Sequence, residues 1–199
     1  MSTLERAARR RQQAQGILRE LGLLEKWARF GRPVLVGAVS FDLAVAPDID
    51  MEVYCPELRI EHGFQVLAEC ALHPCVTAAQ FLNALSSPDK ALYWQLRYRH
   101  QDGTEWKIDM WSAPTDYDLP RGENFVQPMK DALCDETREA ILTLKEARAD
   151  GRLEAILSID LYRAVLDGGV RNTEQLQQWR QSHPTGVLTD WRPKKRDES

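Results

Sequence analysis

The chain has 199 residues, which is enough for one sizeable core with a helical extension and too few for two large independent domains. Its hydrophobic content of 43% and charged content of 28% are typical of a soluble globular protein, and its formal net charge of −4 gives no broad attraction to polyanions. We therefore expect nucleic acid to be an unlikely partner. No apolar run approaches the roughly 20 residues that span a bilayer, so we also expect a cytoplasmic protein with no membrane partner.

A helical stripe runs through the N-terminal segment, residues 1–32. Between Thr3 and Arg29 the chain is rich in strong helix formers, and apolar residues recur every third position from Leu18 to Trp27. Gly22 is a candidate break within this helix. The segment is predicted to end just before the first strand.

Two strands are predicted next. Val34–Val39 is a continuous apolar run, typical of a strand covered on both faces, and a loop over Ser40–Pro47 leads to a second strand at Asp48–Cys55. Side chains alternate between the two faces of a strand, so Asp48, Asp50 and Glu52 share one face. Acids packed together need water, a basic neighbour or a metal ion, and oxygen ligands favour magnesium or manganese.

The middle of the chain predicts one helix and one hairpin. Glu57–Leu72 has apolar residues at helical spacing, whereas Val76–Leu85 fits a helix or a strand equally well. Ala91–His100 and Glu105–Ser112 both alternate between apolar and polar residues, and the turn at 101–104 between them contains Asp-Gly. These two runs therefore predict an antiparallel hairpin.

The second hairpin strand carries an isolated acid. Lys107, Asp109 and Trp111 share the face opposite the apolar residues of this strand. Aspartate is depleted from strands, so Asp109 suggests a functional role, and Trp111 beside it could stack on a base or on an acceptor ring.

The C-terminal part, residues 116–191, is predicted to be mostly helical after an irregular stretch at 115–128. Residues 33–115 would form an α/β core, and the tail at 192–199 is charged. We expect all of these to form one compact unit. Helical patterns cover Asp135–Ala149, Leu153–Leu166 and Thr173–Gln181.

If the strand of Asp109 lies beside the strand of Asp48 and Asp50, the three carboxylates can hold two divalent ions about 4 Å apart. One ion would neutralise a nucleoside triphosphate and the other would activate an acceptor hydroxyl, with Asp109 as the base. The turn at Gly37–Ser40 would offer backbone N–H groups and a hydroxyl to the phosphates. Positive charge on the same face could come from Lys107, Arg97 and Arg99.

These motifs resemble the nucleotidyltransferase superfamily of the DNA polymerase beta type. The resemblance rests on Val36-Gly37-Ala38, nine further residues, then Asp48-Ile49-Asp50-Met51, and a later strand Ile108-Asp109-Met110. It implies an α+β fold in which a small mixed sheet of four or five strands is backed by helices on one face. It also implies that Asp48, Asp50 and Asp109 are metal ligands and that Mg²⁺ or Mn²⁺ is the cofactor.

The expected activity is transfer of a nucleoside monophosphate from a nucleoside triphosphate, with ATP as the first choice, to a hydroxyl of an unknown small-molecule, protein or RNA acceptor. Ala38 departs from the family pattern, which has Gly or Ser there, and Ser40 is the candidate substitute. The alternative is a catalytically degenerate binding or regulatory module on the same scaffold. A metal-dependent glycosyltransferase also uses two acids in this spacing but has more strands before them.

Overall fold

A computed structural model describes residues 1–183 and 191–194 of the chain. Within these residues the protein is α+β, with one five-stranded mixed sheet and eight helices. The strands are β1 (Arg32–Val36), β2 (Asp48–Cys55), β3 (Val76–Ala84), β4 (Ala91–Arg99) and β5 (Glu105–Pro114). The helices are α1 (Thr3–Leu21), α2 (Leu23–Ala28), α3 (Gly37–Ser40), α4 (Ile60–Ala71), α5 (Glu123–Ala132), α6 (Asp135–Ala149), α7 (Ser158–Leu166) and α8 (Thr173–Ser182).

The sheet brings the two acidic strands together. Its strand order is β1-β2-β5-β4-β3, and β2 pairs with β5 in parallel while the other neighbouring strands are antiparallel. Asp50 lies opposite Asp109 in this parallel register, and Met51 lies opposite Met110. Because residues paired across a sheet point to the same side, the predicted acidic and apolar faces of the two strands coincide. The predicted α+β class and the mixed sheet are confirmed.

The apolar face of the sheet packs against α1, α2 and α4. Met51, Trp94 and Trp106 are fully buried there. Gly63 weakens the helical pattern of α4 in the sequence, but the packing explains it: a Cβ at this position would lie 2.2 Å from the Trp94 ring. The helix therefore approaches the sheet more closely than a side chain would permit.

The C-terminal helices form a second apolar cluster beyond the opposite, polar face. Ile141 and Leu144 of α6 and Leu161 of α7 are fully buried in it, together with Leu43 from the β1–β2 connection. Helix α1 contributes to both clusters, since its Ala7 packs with the C-terminal helices while the later residues of α1 pack against the sheet.

Several predicted boundaries differ from the structure. The first strand ends at Val36 rather than Val39, because Gly37 adopts a left-handed φ of 67° and the chain turns into α3. The ambiguous run at 76–85 is the edge strand β3, whose largely exposed side chains show no clear alternation. Helix α5 begins inside the stretch predicted to be irregular, and α7 begins at Ser158 rather than Leu153.

Two parts of the sequence predictions lie outside the described residues: the end of the helical segment at 184–190 and the last five residues of the charged tail. Among the residues that are described, no helix has the length and apolar content needed to cross a membrane.

Candidate active site

Three carboxylates meet on the polar face of the sheet. Asp48 and Asp50 on β2 and Asp109 on β5 each place one oxygen within 4.8 Å of the others. Burial raises the pKa of Asp48, and burial together with the charges of Asp48 and Asp109 raises the pKa of Asp50 to about 7. The site therefore concentrates negative charge that a cation would stabilise.

Lys107 lies inside this acidic cluster. Its Nζ is 2.6 Å from Asp109 Oδ2 and 3.3 Å from Asp48 Oδ2. Burial alone would lower the pKa of Lys107, but the hydrogen bond to Asp109 and the charges of both acids raise it well above its ordinary value. Lys107 thus places positive charge on this face by pairing with the acids themselves.

The second oxygen of Asp109 is held by the neighbouring strand. Tyr93 donates its hydroxyl to Asp109 Oδ1 at 2.7 Å, and Gln95 donates to the same oxygen at 3.0 Å. Burial and the hydrogen bond to Asp109 raise the pKa of Tyr93 to about 12. The Trp111 ring lies 4.8 Å from the Tyr93 ring, so an aromatic pair flanks Asp109. Sequence analysis did not assign Tyr93 and Gln95 to the site, although both lie on the polar face of the β4 alternation.

A cavity of about 520 Å³ is lined by Asp48 and Asp50, but not by Asp109, and extends toward the C-terminal helices. Gly37 and Ala38 line it beside Asp50. A Cβ at Gly37 would lie 2.2 Å from Asp50 Oδ2, so this close approach requires glycine as much as the left-handed φ does. Ser40 is not among the lining residues, and its hydroxyl donates to the Gly37 carbonyl at 2.7 Å. The Ser40 hydroxyl therefore supports the turn itself.

The far wall of the cavity carries a buried lysine that sequence analysis missed. Lys145 of α6 is 5% exposed, and its Nζ donates to the Leu43 carbonyl at 2.7 Å and to the Tyr162 hydroxyl at 3.3 Å. Burial, and then the nearby charge of Arg148, lower the pKa of Lys145 to about 8. The sequence signal for this buried position was a lysine at an apolar position of the helical pattern.

The other charged candidates lie away from the three carboxylates. Glu52 accepts hydrogen bonds from the backbone N–H groups of Gly122 and Glu123 at 2.7 and 3.1 Å, and so caps the start of α5. Arg97 donates to the Gln95 side chain at 3.1 Å and lies 3.7 Å from Glu105. Arg97 and Arg99 are both outside the cavity lining.

This fold has counterparts among solved structures. The Cid1 poly(U) polymerase with MgGTP bound is 13% identical, with a TM-score of 0.61 over 79% of this chain and 50% of that chain. A cytoplasmic RNA terminal U-transferase is 14% identical, with a TM-score of 0.57 over 78% of this chain and 45% of that chain. The chain has a nucleotidyltransferase fold. It spans about half the length of these enzymes. No protein-family model matches the sequence, and no curated protein matches it.

These neighbours correct one expectation. The prediction that nucleic acid is an unlikely partner is wrong, because the nucleotidyltransferase fold of this chain is shared with RNA terminal uridylyl transferases. The net charge of −4 misled because it averages over the whole surface, whereas the cavity itself is lined by Arg121, Lys145, Arg148 and Arg192.

The residues of this nucleotidyltransferase fold fit a divalent ion. Asp48 Oδ1 is buried, and it has no hydrogen-bond partner among the described residues. A buried carboxylate oxygen without a partner is costly unless a cation binds it. Carboxylate oxygens are also the ligands that Mg²⁺ and Mn²⁺ prefer.

Proposed function

We propose that the chain is a metal-dependent nucleotidyltransferase that moves a nucleoside monophosphate from a nucleoside triphosphate to a hydroxyl. The parallel register of Asp50 and Asp109 carries this proposal, because it gathers three carboxylates on one face of the sheet. Two of them, Asp48 and Asp50, line a cavity that also has basic walls. ATP is the first nucleotide to test. The Cid1 structures with MgATP and MgGTP bound support a magnesium nucleotide as the ligand class.

Asp48, Asp50 and Asp109 are the residues that would hold Mg²⁺ or Mn²⁺, and the bound ion would supply positive charge to the triphosphate and to the reacting oxygens. Lys145 and Arg148 line the same cavity and would balance further phosphate charge. The short turn at Gly37 and Ala38 leaves room for phosphate oxygens beside Asp50.

An aromatic wall offers a place for the nucleobase. Phe125, Tyr162 and Trp191 line the cavity, and the Phe125 ring lies 5.6 Å from the Trp191 ring and 6.2 Å from the Tyr162 ring. Aromatic rings stack on any base, so this wall would favour nucleotide binding without selecting one base.

Asp109 is the proposed base. Tyr93 and Gln95 fix the orientation of its carboxylate, and the acceptor hydroxyl would transfer its proton to Asp109 as the acceptor oxygen attacks the α-phosphorus. The new phosphorus–oxygen bond would form as the bond to the bridging oxygen breaks and pyrophosphate leaves with the bonding electrons. We take the 3′ hydroxyl of an RNA as the first acceptor to test, because the structural neighbours are RNA terminal uridylyl transferases.

The test is calorimetric titration of ATP, UTP, CTP and GTP into the protein with and without Mg²⁺, beside the double variant Asp48→Asn/Asp50→Asn. Asp116→Asn/Asp118→Asn is the matched control, because it removes two exposed acids outside the cavity. Magnesium-dependent binding that the first double variant loses and the control keeps is the expected result. No binding by the unaltered protein would refute the proposal.

Turnover is then measured as pyrophosphate release with an oligoribonucleotide that ends in a 3′ hydroxyl, compared with one that ends in a 3′ deoxynucleotide. Release with the first only would support an RNA acceptor. Release with a small-molecule or protein hydroxyl instead would keep the transferase and change the acceptor. Nucleotide binding without release from any acceptor would indicate a degenerate binding module, which the departure at Ala38 would explain.

A further inference from the structure

An ammonium group lies within the acidic cluster. Lys107 Nζ lies between Asp48 Oδ2 and Asp109 Oδ2, at 3.3 and 2.6 Å. The other oxygen of Asp48, Oδ1, is buried and is left without a hydrogen-bond partner in the described part of the chain. Among the described residues, Lys107 therefore makes no ion pair with Asp50 and leaves Asp48 Oδ1 without a partner.

We propose that Lys107 permanently supplies one of the two positive charges of this site, so that the three carboxylates bind a single divalent ion instead of two. The chemistry of this inference rests on the proposed transferase function, which it makes more specific. The ion would be held on the Asp48–Asp50 side, and the Lys107 ammonium would remain beside Asp109.

The backbone places Lys107 in the cluster. Lys107 lies two residues before Asp109 on β5 and is the direct register partner of Asp48 on β2, so both strands fix its Cα beside the acids. Its side chain is 31% exposed, and it makes two charge-assisted contacts that a second ion would have to displace. One ammonium and one divalent ion balance three carboxylates, whereas a second divalent ion would leave two excess positive charges before a nucleotide binds.

The position of Lys107 also gives it a function in the reaction. Because its ammonium contacts the proposed base, it would lie close to an acceptor oxygen that gives its proton to Asp109. It would stabilise the negative charge on that oxygen in the place where a second ion would otherwise act.

The experiment counts bound ions directly, without nucleotide or turnover. Mn²⁺ alone is titrated into the protein and followed by electron paramagnetic resonance, for the unaltered chain, Lys107→Met and the control Arg97→Met. Arg97 pairs in register with Lys107, and its charge also acts on Asp48, but no contact joins it to the three carboxylates in the described structure. Arg97→Met therefore removes a similar charge without vacating the cation position.

We expect one Mn²⁺ per chain for the unaltered protein and for Arg97→Met, and two for Lys107→Met. Two ions about 4 Å apart would also give the spectrum of a spin-coupled pair, which a single ion cannot give. Two coupled ions in the unaltered protein, no bound ion in it, or a single ion in a folded Lys107→Met would each overturn the proposal. If Lys107→Met does not fold, Lys107→Gln replaces it, and the count for the unaltered chain remains a test.

The nucleotide titration separates this inference from the proposed function. One bound Mn²⁺ without any nucleotide binding would support the ion count and refute the transferase. Magnesium-dependent nucleotide binding with two coupled Mn²⁺ ions would support the transferase and refute the assignment of Lys107.

Discussion

Replacing Asp50 by asparagine should stabilise the metal-free protein at neutral and alkaline pH. Burial and two neighbouring acids raise the pKa of Asp50 from 3.8 to about 7. Below pH 4 the folded and unfolded chains both carry the proton, so Asp50 has no effect on stability there. Between pH 4 and 7 the Asp50 carboxyl loses its proton in the unfolded chain but keeps it in the folded chain. The free energy of unfolding therefore falls as the pH rises through this range and stays lowered above pH 7.

The magnitude follows from the same values. Each tenfold change in proton affinity is worth about 1.4 kcal/mol, so the full shift corresponds to about 4 kcal/mol. Asp50 retains some contact with solvent, which screens part of this energy, and we expect Asp50→Asn to gain about 2–4 kcal/mol over the unaltered protein at pH 8.

The assay is urea unfolding in the presence of a chelator at several pH values between 4 and 9. Asp116→Asn, which removes an exposed acid outside the cavity, serves as the control and should run parallel to the unaltered protein. The gain for Asp50→Asn should be near zero at pH 4 and should reach its full value above pH 7. The reasoning that ionised Asp50 destabilises the metal-free protein would be refuted by either of two results. One is the same dependence of unfolding free energy on pH in all three proteins, and the other is a less stable Asp50→Asn at pH 8.

Three further predictions use matched variants. Lys145→Met should weaken binding of Mg²⁺-ATP about 10- to 100-fold in calorimetry, since a charge-assisted contact is worth about 1.5–3 kcal/mol. Lys130→Met, at an exposed position, is the control and should bind as the unaltered protein does. Equal affinities for Lys145→Met and the unaltered protein would show that Lys145 does not contact the phosphates. Glu52→Ala should lower the free energy of unfolding by about 2 kcal/mol, because two N–H groups at the start of α5 lose their acceptor. Glu57→Ala, on the surface, is the control and should change this free energy little. An unchanged free energy of unfolding for Glu52→Ala would show that water replaces the cap. Gly63→Ala should destabilise the protein by about 1–3 kcal/mol, because the added Cβ would clash with Trp94. Gly16→Ala in α1, where a Cβ would meet no atom within 4 Å, should stabilise the protein by about 0.5–1 kcal/mol. A higher melting temperature for Gly63→Ala than for Gly16→Ala would contradict the packing of α4 on the sheet.

The alternation of side chains along a strand made it possible to predict which residues share a face of the sheet. Asp48, Asp50 and Asp109 were placed on one side because the period of a strand is two, and the structure brings them together. What the alternation could not supply was the partner of each oxygen. Lys107 was predicted on the correct face, but its pairing with Asp48 depends on a parallel register that no local pattern encodes.

Residues distant in sequence were beyond prediction. Lys145 reaches the Leu43 carbonyl across 102 positions, and its own helix shows an ordinary pattern. The edge strand β3 was ambiguous because most of its side chains are exposed, so no alternation between a buried and an exposed face marks it as a strand. Whole-chain charge was likewise too coarse to reveal a basic cavity wall on an acidic protein.

Helix α1 has a consequence for how the molecule would respond to shortening. Its first turns belong to the C-terminal cluster and its later turns to the sheet cluster, and Arg6 adds two hydrogen bonds to Glu146 of α6 at 2.6 and 2.8 Å. A helix that the sequence presents as an extension therefore joins the two apolar clusters of the fold. Amide hydrogens beyond the first turn of α1 should exchange as slowly as those of β2, and cutting the helix away should loosen both clusters at once.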